Sequence, residues 1–80
     1  MIEMLKSGKK TVGVKQTMKA VENGTAKVVF IAGDVDEKVV SALRELCTEK
    51  SVQLIPVDTM KQLGKACGID VNASAACILH

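Results

Sequence analysis

The run Lys27-Val28-Val29-Phe30-Ile31-Ala32, closed by Gly33, decides the fold. A half-buried strand alternates apolar and polar residues, whereas this run is apolar at every position after Lys27 and rich in β-branched side chains. Such a strand is covered on both faces. It therefore needs a layer of other elements above it and another below. Upstream, Gly13-Val14-Lys15-Gln16-Thr17-Met18-Lys19-Ala20-Val21-Glu22-Asn23-Gly24 reads as one short helix bounded by glycines. Met18 and Val21, three apart, can face a core together. Lys15, Lys19 and Glu22 fall at i, i+4 and i+7, with Gln16 beside Lys19, and make the wet face. Gly24 suits the left-handed position past a helix end, and Gly13 lets another backbone approach closely.

Downstream, Asp34 is expected as the N-cap of a second helix, with Glu37 as its capping-box partner. Val39, Val40, Leu43, Leu46 and Cys47 supply that helix's apolar face. Val52-Gln53-Leu54-Ile55 reads as a strand ended by Pro56. Thr59-Met60-Lys61-Gln62 is a second capping box, opening a short helix that stops at Gly68. The loop Ile69-Asp70-Val71-Asn72 leads to a last strand over Ala73–Leu79. At the other end, residues 2–7 are expected to be a short helix contributing Ile2, Met4 and Leu5, and Lys9–Val12 a short extended piece. Helix and strand alternate throughout, which is the α/β signature: a small, mostly parallel sheet with helices on both faces. Eighty residues make one domain, expected to span 1–80. One six-position echo, K-Q-x-x-K-A, at 15–20 and 61–66 reads as chance.

A 48% apolar and 25% charged composition is that of a globular chain, not a disordered one. No apolar run reaches membrane-spanning length. The N-terminal residues lack the apolar stretch of a secretory signal, so a cytoplasmic protein without a membrane partner is expected. Cys47, Cys67 and Cys77 are odd in number and lack C-x-x-C spacing, which argues against a disulfide framework and a zinc site. They read as small buried hydrophobes. His80, the one histidine, is the last residue and a poor base or metal ligand. There is no P-loop and no G-x-G-x-x-G, and no nucleophile has a candidate histidine. A non-enzymatic protein without cofactor or metal is expected.

The net charge of +2 hides an asymmetry. Residues 1–27 hold six lysines against two glutamates, a net +4; residues 28–58 hold three basic side chains against six acidic, a net −3; residues 59–80 are at +1. A basic end and an acidic middle would give one face attractive to phosphate. A helix start bearing Lys15 and Gln16 offers backbone N–H groups, a positive dipole end, a cation and an amide. That suits a polyanion with readable edges, as in nucleic acid; the same spacing also describes an ordinary solvated helix. Phe30, the one aromatic, sits in a covered strand, so base-stacking platforms of the RRM or OB kind are excluded.

The segment 13–20, the strand and turn from Val28 to Asp34, and Met60-Lys61-Gln62-Leu63-Gly64-Lys65-Ala66-Cys67-Gly68-Ile69-Asp70-Val71 together resemble the L7Ae/L30e ribosomal-protein family, closest to its short bacterial YbxF-like kink-turn-binding branch. The resemblance covers nearly the whole chain, with the motifs in order. It implies an L30e-like three-layer α/β/α sandwich around a small mixed sheet, and binding of RNA kink-turns, in which a bulge flanked by sheared G·A pairs bends the duplex. By motif position, Gly13 matches the glycine that lets backbone approach RNA. Lys15 and Gln16 match the pair that contacts the guanines of the G·A pairs, often Asn-Glu in archaeal and eukaryotic members. Lys19 matches the helix lysine that supports this contact, and Lys61 the basic residue before L-G-x-A. Ile69, Asp70 and Val71 lie in the loop that packs on the bulged nucleotides. Lys10 joins Lys15, Lys19 and Lys61 as an expected phosphate neutraliser.

The chain departs from the archaeal pattern at Lys15 and Gln16, and its loop lacks a basic residue near Val71. Gln16 can still accept from guanine N–H groups, though more weakly than a carboxylate would. The expected partner is a kink-turn in rRNA or in riboswitch or untranslated RNA, with the ribosome as a further partner and the protein a monomer. Two alternatives stay open: a constitutive structural ribosomal component, and a protein-interaction domain using the acidic helix 34–50. Whether Ile69 and Val71 are core or exposed RNA contacts is likewise open.

Overall fold

The computed structural model of the chain describes Leu5 and residues 8–80. The helix expected over 2–7 lies outside these residues except for Leu5, which is helical and buried. The elements are β1 (Lys10–Val12), α1 (Val14–Glu22), β2 (Ala26–Ala32), α2 (Glu37–Lys50), β3 (Gln53–Val57), α3 (Met60–Ala66) and β4 (Ala75–Leu79). One sheet holds the four strands in the order β1-β4-β2-β3.

β2 lies between β4 and β3 and is buried at every position but Lys27. Its side chains alternate between two cores. Val28, Phe30 and Ala32 pack with Leu5, Leu63, Cys67 and Ile78 under α3; Val29 and Ile31 pack with Val21, Val40, Leu43 and Cys47 under α1 and α2. These are the two layers the apolar run demanded, and the result is the three-layer α/β/α sandwich. Each large side chain so buried contributes about 1.5–3 kcal/mol. Truncating Phe30, fully buried at the centre of one layer, would cost about 3–5 kcal/mol. Lys27 escapes burial where the pairing of β2 with β4 shifts register between Ala26 and Val28.

The sheet is mixed, but only the β2–β3 ladder is parallel; β1–β4 and β2–β4 are antiparallel. The expected mostly parallel balance fails because α3 is short and residues 67–72 double back along it. The Ala73 N–H donates to the Met60 carbonyl at 3.0 Å, so β4 begins at the same edge where α3 began. Ala73 and Ser74 thereby leave the expected strand: Ala73 is tied to the helix, and the Ser74 carbonyl accepts from the Ala32 N–H at 3.0 Å. Pro56 sits inside β3 rather than ending it, opposite Ile31. β3 is an edge strand, where a missing N–H is tolerated.

α2 is capped by Asp36, whose carboxylate accepts from the Lys38 N–H at 3.0 Å, and not by Asp34. Its core face is Val40, Leu43 and Cys47, with Leu46 half-buried; Val39, one residue off that line, is 50% exposed. No helix among the described residues is long and apolar enough to cross a membrane.

Candidate nucleic-acid interface

The carboxyl ends of β1, β2 and β3, the start of β4 and the starts of all three described helices share one edge of the sheet. Backbone bonds lace them together. The Gly13 N–H donates to the Ala75 carbonyl at 2.7 Å, joining the start of α1 to β4, and the Gly33 N–H donates to the Val57 carbonyl at 2.7 Å, joining the ends of β2 and β3. Asp34 completes the edge: its Oδ1 accepts from the Met60 N–H at 2.8 Å, across 26 residues of sequence. Thr59 Oγ1 accepts from the Gln62 N–H at 3.1 Å, the threonine half of the expected capping box.

At the start of α1, Gly13 has φ 104° and ψ 150°, open to glycine and strained for other residues. A Cβ there would meet nothing within 4 Å. The backbone of β4 approaches Gly13 from its N–H side, while among the described residues the space on its Cβ side is free. Among the described residues α1 has no side-chain cap, and its first turn has no acidic residue, so none of them opposes its N–H groups and positive dipole end. Lys15, Gln16 and Lys19 are exposed on its outer face, as is Glu22, while Thr17, Ala20 and Val21 are buried. Among the described residues the buried Thr17 Oγ1 has no partner in ordinary hydrogen-bond geometry, and the Cys77 thiol is a polar neighbour.

Lys61 stands exposed in the first turn of α3. With Lys65, Ile69, Asp70, Val71 and Asn72 it lines a depression of about 250 Å³. The loop is split in its burial. Ile69 is half-buried and packs on the core under α3, whereas Val71 is 66% exposed. Gly64 holds this loop down: a Cβ there would sit 2.0 Å from the Val71 carbonyl oxygen. Nothing local in the sequence marked Gly64 as a packing position. Lys65 and Asn72 were also unforeseen. The echo of Lys19 in Lys65 was the available signal, since both K-Q-x-x-K-A segments turn out to be helices starting at this same edge.

Lys10 is placed apart from the first turn of α1. It pairs with Ile78, two register steps from the Val12–Ala76 pair, and lies close enough to Cys67 to offset part of the rise that burial causes in that thiol's pKa. The basic N-terminal third is likewise divided. The Lys9 carbonyl accepts from the Leu79 N–H, and Lys27 follows Ala26, which pairs with Leu79, so both belong to the opposite edge. Burial raises the pKa of all three cysteines, that of Cys77 to about 11. No group of three or more His, Cys, Asp or Glu among the described residues is arranged to hold a metal ion.

Residues 2–80 of the chain match a family model described as the ribosomal protein L7Ae/L30e/S12e/Gadd45 family. The chain belongs to this family. Among its relatives, an RNA-binding protein of Caldanaerobacter subterraneus subsp. tengcongensis is 50% identical over 68 residues, 85% of this chain and 83% of that one. The RNA-binding protein YbxF of Geobacillus stearothermophilus is 40% identical over 78 residues, 98% of this chain and 95% of that one. The solved structure of a Giardia lamblia 15.5kD RNA binding protein superposes with a TM-score of 0.92 at 28% identity, covering 99% of this chain and 70% of that one. A Bacillus halodurans C protein of unknown function shares the fold, with a TM-score of 0.88 at 20% identity over 99% of this chain and 83% of that one. In this member of the L7Ae family, the start of α1 and the loop 69–72 are held to the two ends of one short backbone segment, Ala73–Ala75.

Proposed function

We propose that this protein binds RNA without catalysing a reaction, and that its target is the kink-turn, in ribosomal RNA or in riboswitch or untranslated RNA. The observation that carries the reading is the edge itself. An uncapped helix start with Lys15 and Gln16 and an exposed loop with Val71 flank the same segment, Ala73–Ala75. Lys15 donates to guanine O6 and N7, and Gln16 offers its amide to guanine edges of the G·A pairs. Gly13 leaves the room that a sugar–phosphate backbone needs, and Lys19 supports the contact from the next turn. Lys61 neutralises phosphate, with Lys10 adding to the field at longer range. Asp70 and Val71 border the bulge, Val71 supplying apolar contact in place of aromatic stacking, and Ile69 anchors the loop from below. The relatives named as RNA-binding proteins support the partner class. Association with the ribosome belongs to the same proposal.

The test is a gel-shift comparison of a kink-turn transcript with one whose sheared G·A pairs are replaced by Watson–Crick pairs. The intact site should bind more tightly, and affinity should fall with salt. Equal binding to both RNAs would reduce the edge to a basic patch. Co-sedimentation with ribosomes after a high-salt wash tests the ribosomal part separately.

A further inference from the structure

Asp34 is an anion on the edge to which RNA is assigned above, and the inference drawn from it rests on that reading. Its charge opposes phosphate, and it does not serve the helix that follows it, because Asp36 caps α2. Among the described residues its carboxylate bonds instead to the N–H of Met60, at the first turn of α3. Met60 is a junction. Its N–H goes to Asp34 at 2.8 Å, its carbonyl accepts from the Ala73 N–H at 3.0 Å, and its Sδ lies 3.7 Å from Ser74 Oγ. The Ser74 carbonyl in turn accepts from the Ala32 N–H, two residues before Asp34. The ring Asp34–Met60–Ala73/Ser74–Ala32 therefore clamps the start of α3 and the root of the loop 69–72 to the end of β2.

We infer that Asp34 is a positioning residue for RNA: through its hydrogen bond to Met60 it fixes Lys61 and the Asp70–Val71 loop in the geometry that binds. The carboxylate is retained for the acceptor it provides, against the repulsion it causes. The two contributions have opposite signs in binding. Removing a mere anion tightens association with phosphate, whereas removing a positioning acceptor weakens it.

Kink-turn affinity is measured at several salt concentrations for the wild type, Asp34→Ala and Asp34→Asn, all well below their melting transitions. The Asn amide oxygen can still accept from the Met60 N–H, without the charge. Asp34→Ala should lose about three- to tenfold in affinity, because RNA must then impose the local order that the cap, worth about that factor in helix stability, supplies in advance. Its salt dependence should be shallower as Lys61 loses its phosphate. Asp34→Asn should bind as the wild type or slightly more tightly. The inference is overturned if Ala binds as well as the wild type, if Ala and Asn tighten together at low salt, or if Asn falls as far as Ala. A lowered melting temperature for Ala with unchanged affinity and salt slope also overturns it, leaving only an ordinary cap. Failure of the wild type itself to prefer a kink-turn over a plain duplex strikes the RNA reading before either variant is compared.

Discussion

Replacing Gly64 by alanine sets two well-known effects against each other. On helix propensity alone, alanine within α3 should stabilise the protein by about 1 kcal/mol. The structure opposes this. The new Cβ would lie 2.0 Å from the Val71 carbonyl oxygen, 3.0 Å from the Val71 carbonyl carbon and 3.3 Å from the Asn72 Cα. All three are backbone atoms, which cannot swing aside as a side-chain tip can. Reaching an ordinary 3.4 Å contact from 2.0 Å requires the loop to retreat by 1.4 Å. That movement pulls on the Ile69 N–H bond to the Gly64 carbonyl, at 3.1 Å, and on the Ala73 N–H bond to Met60, at 3.0 Å. Overpacking costs about 1–3 kcal/mol, and an overlap this deep with backbone falls in the upper part of that range, about 2–3 kcal/mol; subtracting about 1 kcal/mol of propensity leaves a net loss of roughly 1–2 kcal/mol. For a domain this small it lowers the melting temperature by roughly 5–15 °C. The displaced segment carries Asp70 and Val71, so kink-turn affinity should fall severalfold at temperatures where the variant is fully folded. Thermal melting followed by circular dichroism gives the first quantity, and RNA titration at low temperature the second. A Gly64→Ala protein as stable as the wild type, with unchanged RNA affinity, would refute the reasoning.

Lys15→Ala should cost about 1–3 kcal/mol of kink-turn binding, mostly at intact G·A pairs, whereas Lys61→Ala should weaken intact and repaired RNAs alike and flatten the salt slope; equal loss of discrimination in both would cancel these roles. Val71→Ser, at a site 66% exposed, should leave unfolding within about 0.5 kcal/mol of the wild type while kink-turn affinity falls; a large drop in melting temperature with affinity intact would remove Val71 from the interface. Burial raises the Cys77 pKa from 9.0 to about 11, so the unfolded chain loses this proton first. The stability held below pH 9.0 should therefore decline as pH rises towards about 11, the window these two values bound. Denaturation curves of the wild type and Cys77→Ala across that window check this, since the variant should show a shallower decline.

The layering was legible because it is periodic. Val28–Ala32 is apolar at every step, and such a strand has one physical solution, cover on both faces. The bounds of α1 were legible because glycines punctuate them, and Gly13 before it and Gly24 after it both adopt positive φ. What the sequence concealed depends on which polar group finds which partner. Asp34 and Asp36 each precede a helix with an acidic side chain free to cap it, and local spacing favours Asp34 with Glu37. Only the return of the chain after β3 brings the Met60 N–H to within 2.8 Å of Asp34 and leaves Asp36 to cap α2. The charge tally fails for the same reason. Lys15 and Lys27 are counted together over residues 1–27, yet α1 runs away from the edge proposed to bind RNA and β2 starts at the far one, so the fold parts them. A net charge for a segment of sequence cannot tell which end of a sheet each lysine will occupy. That is decided by the crossover, since α1 carries the chain from the end of β1 back to the far edge where β2 begins. The direction of β4 was hidden separately, in the doubling-back of residues 67–72, which Gly64 permits by carrying no side chain.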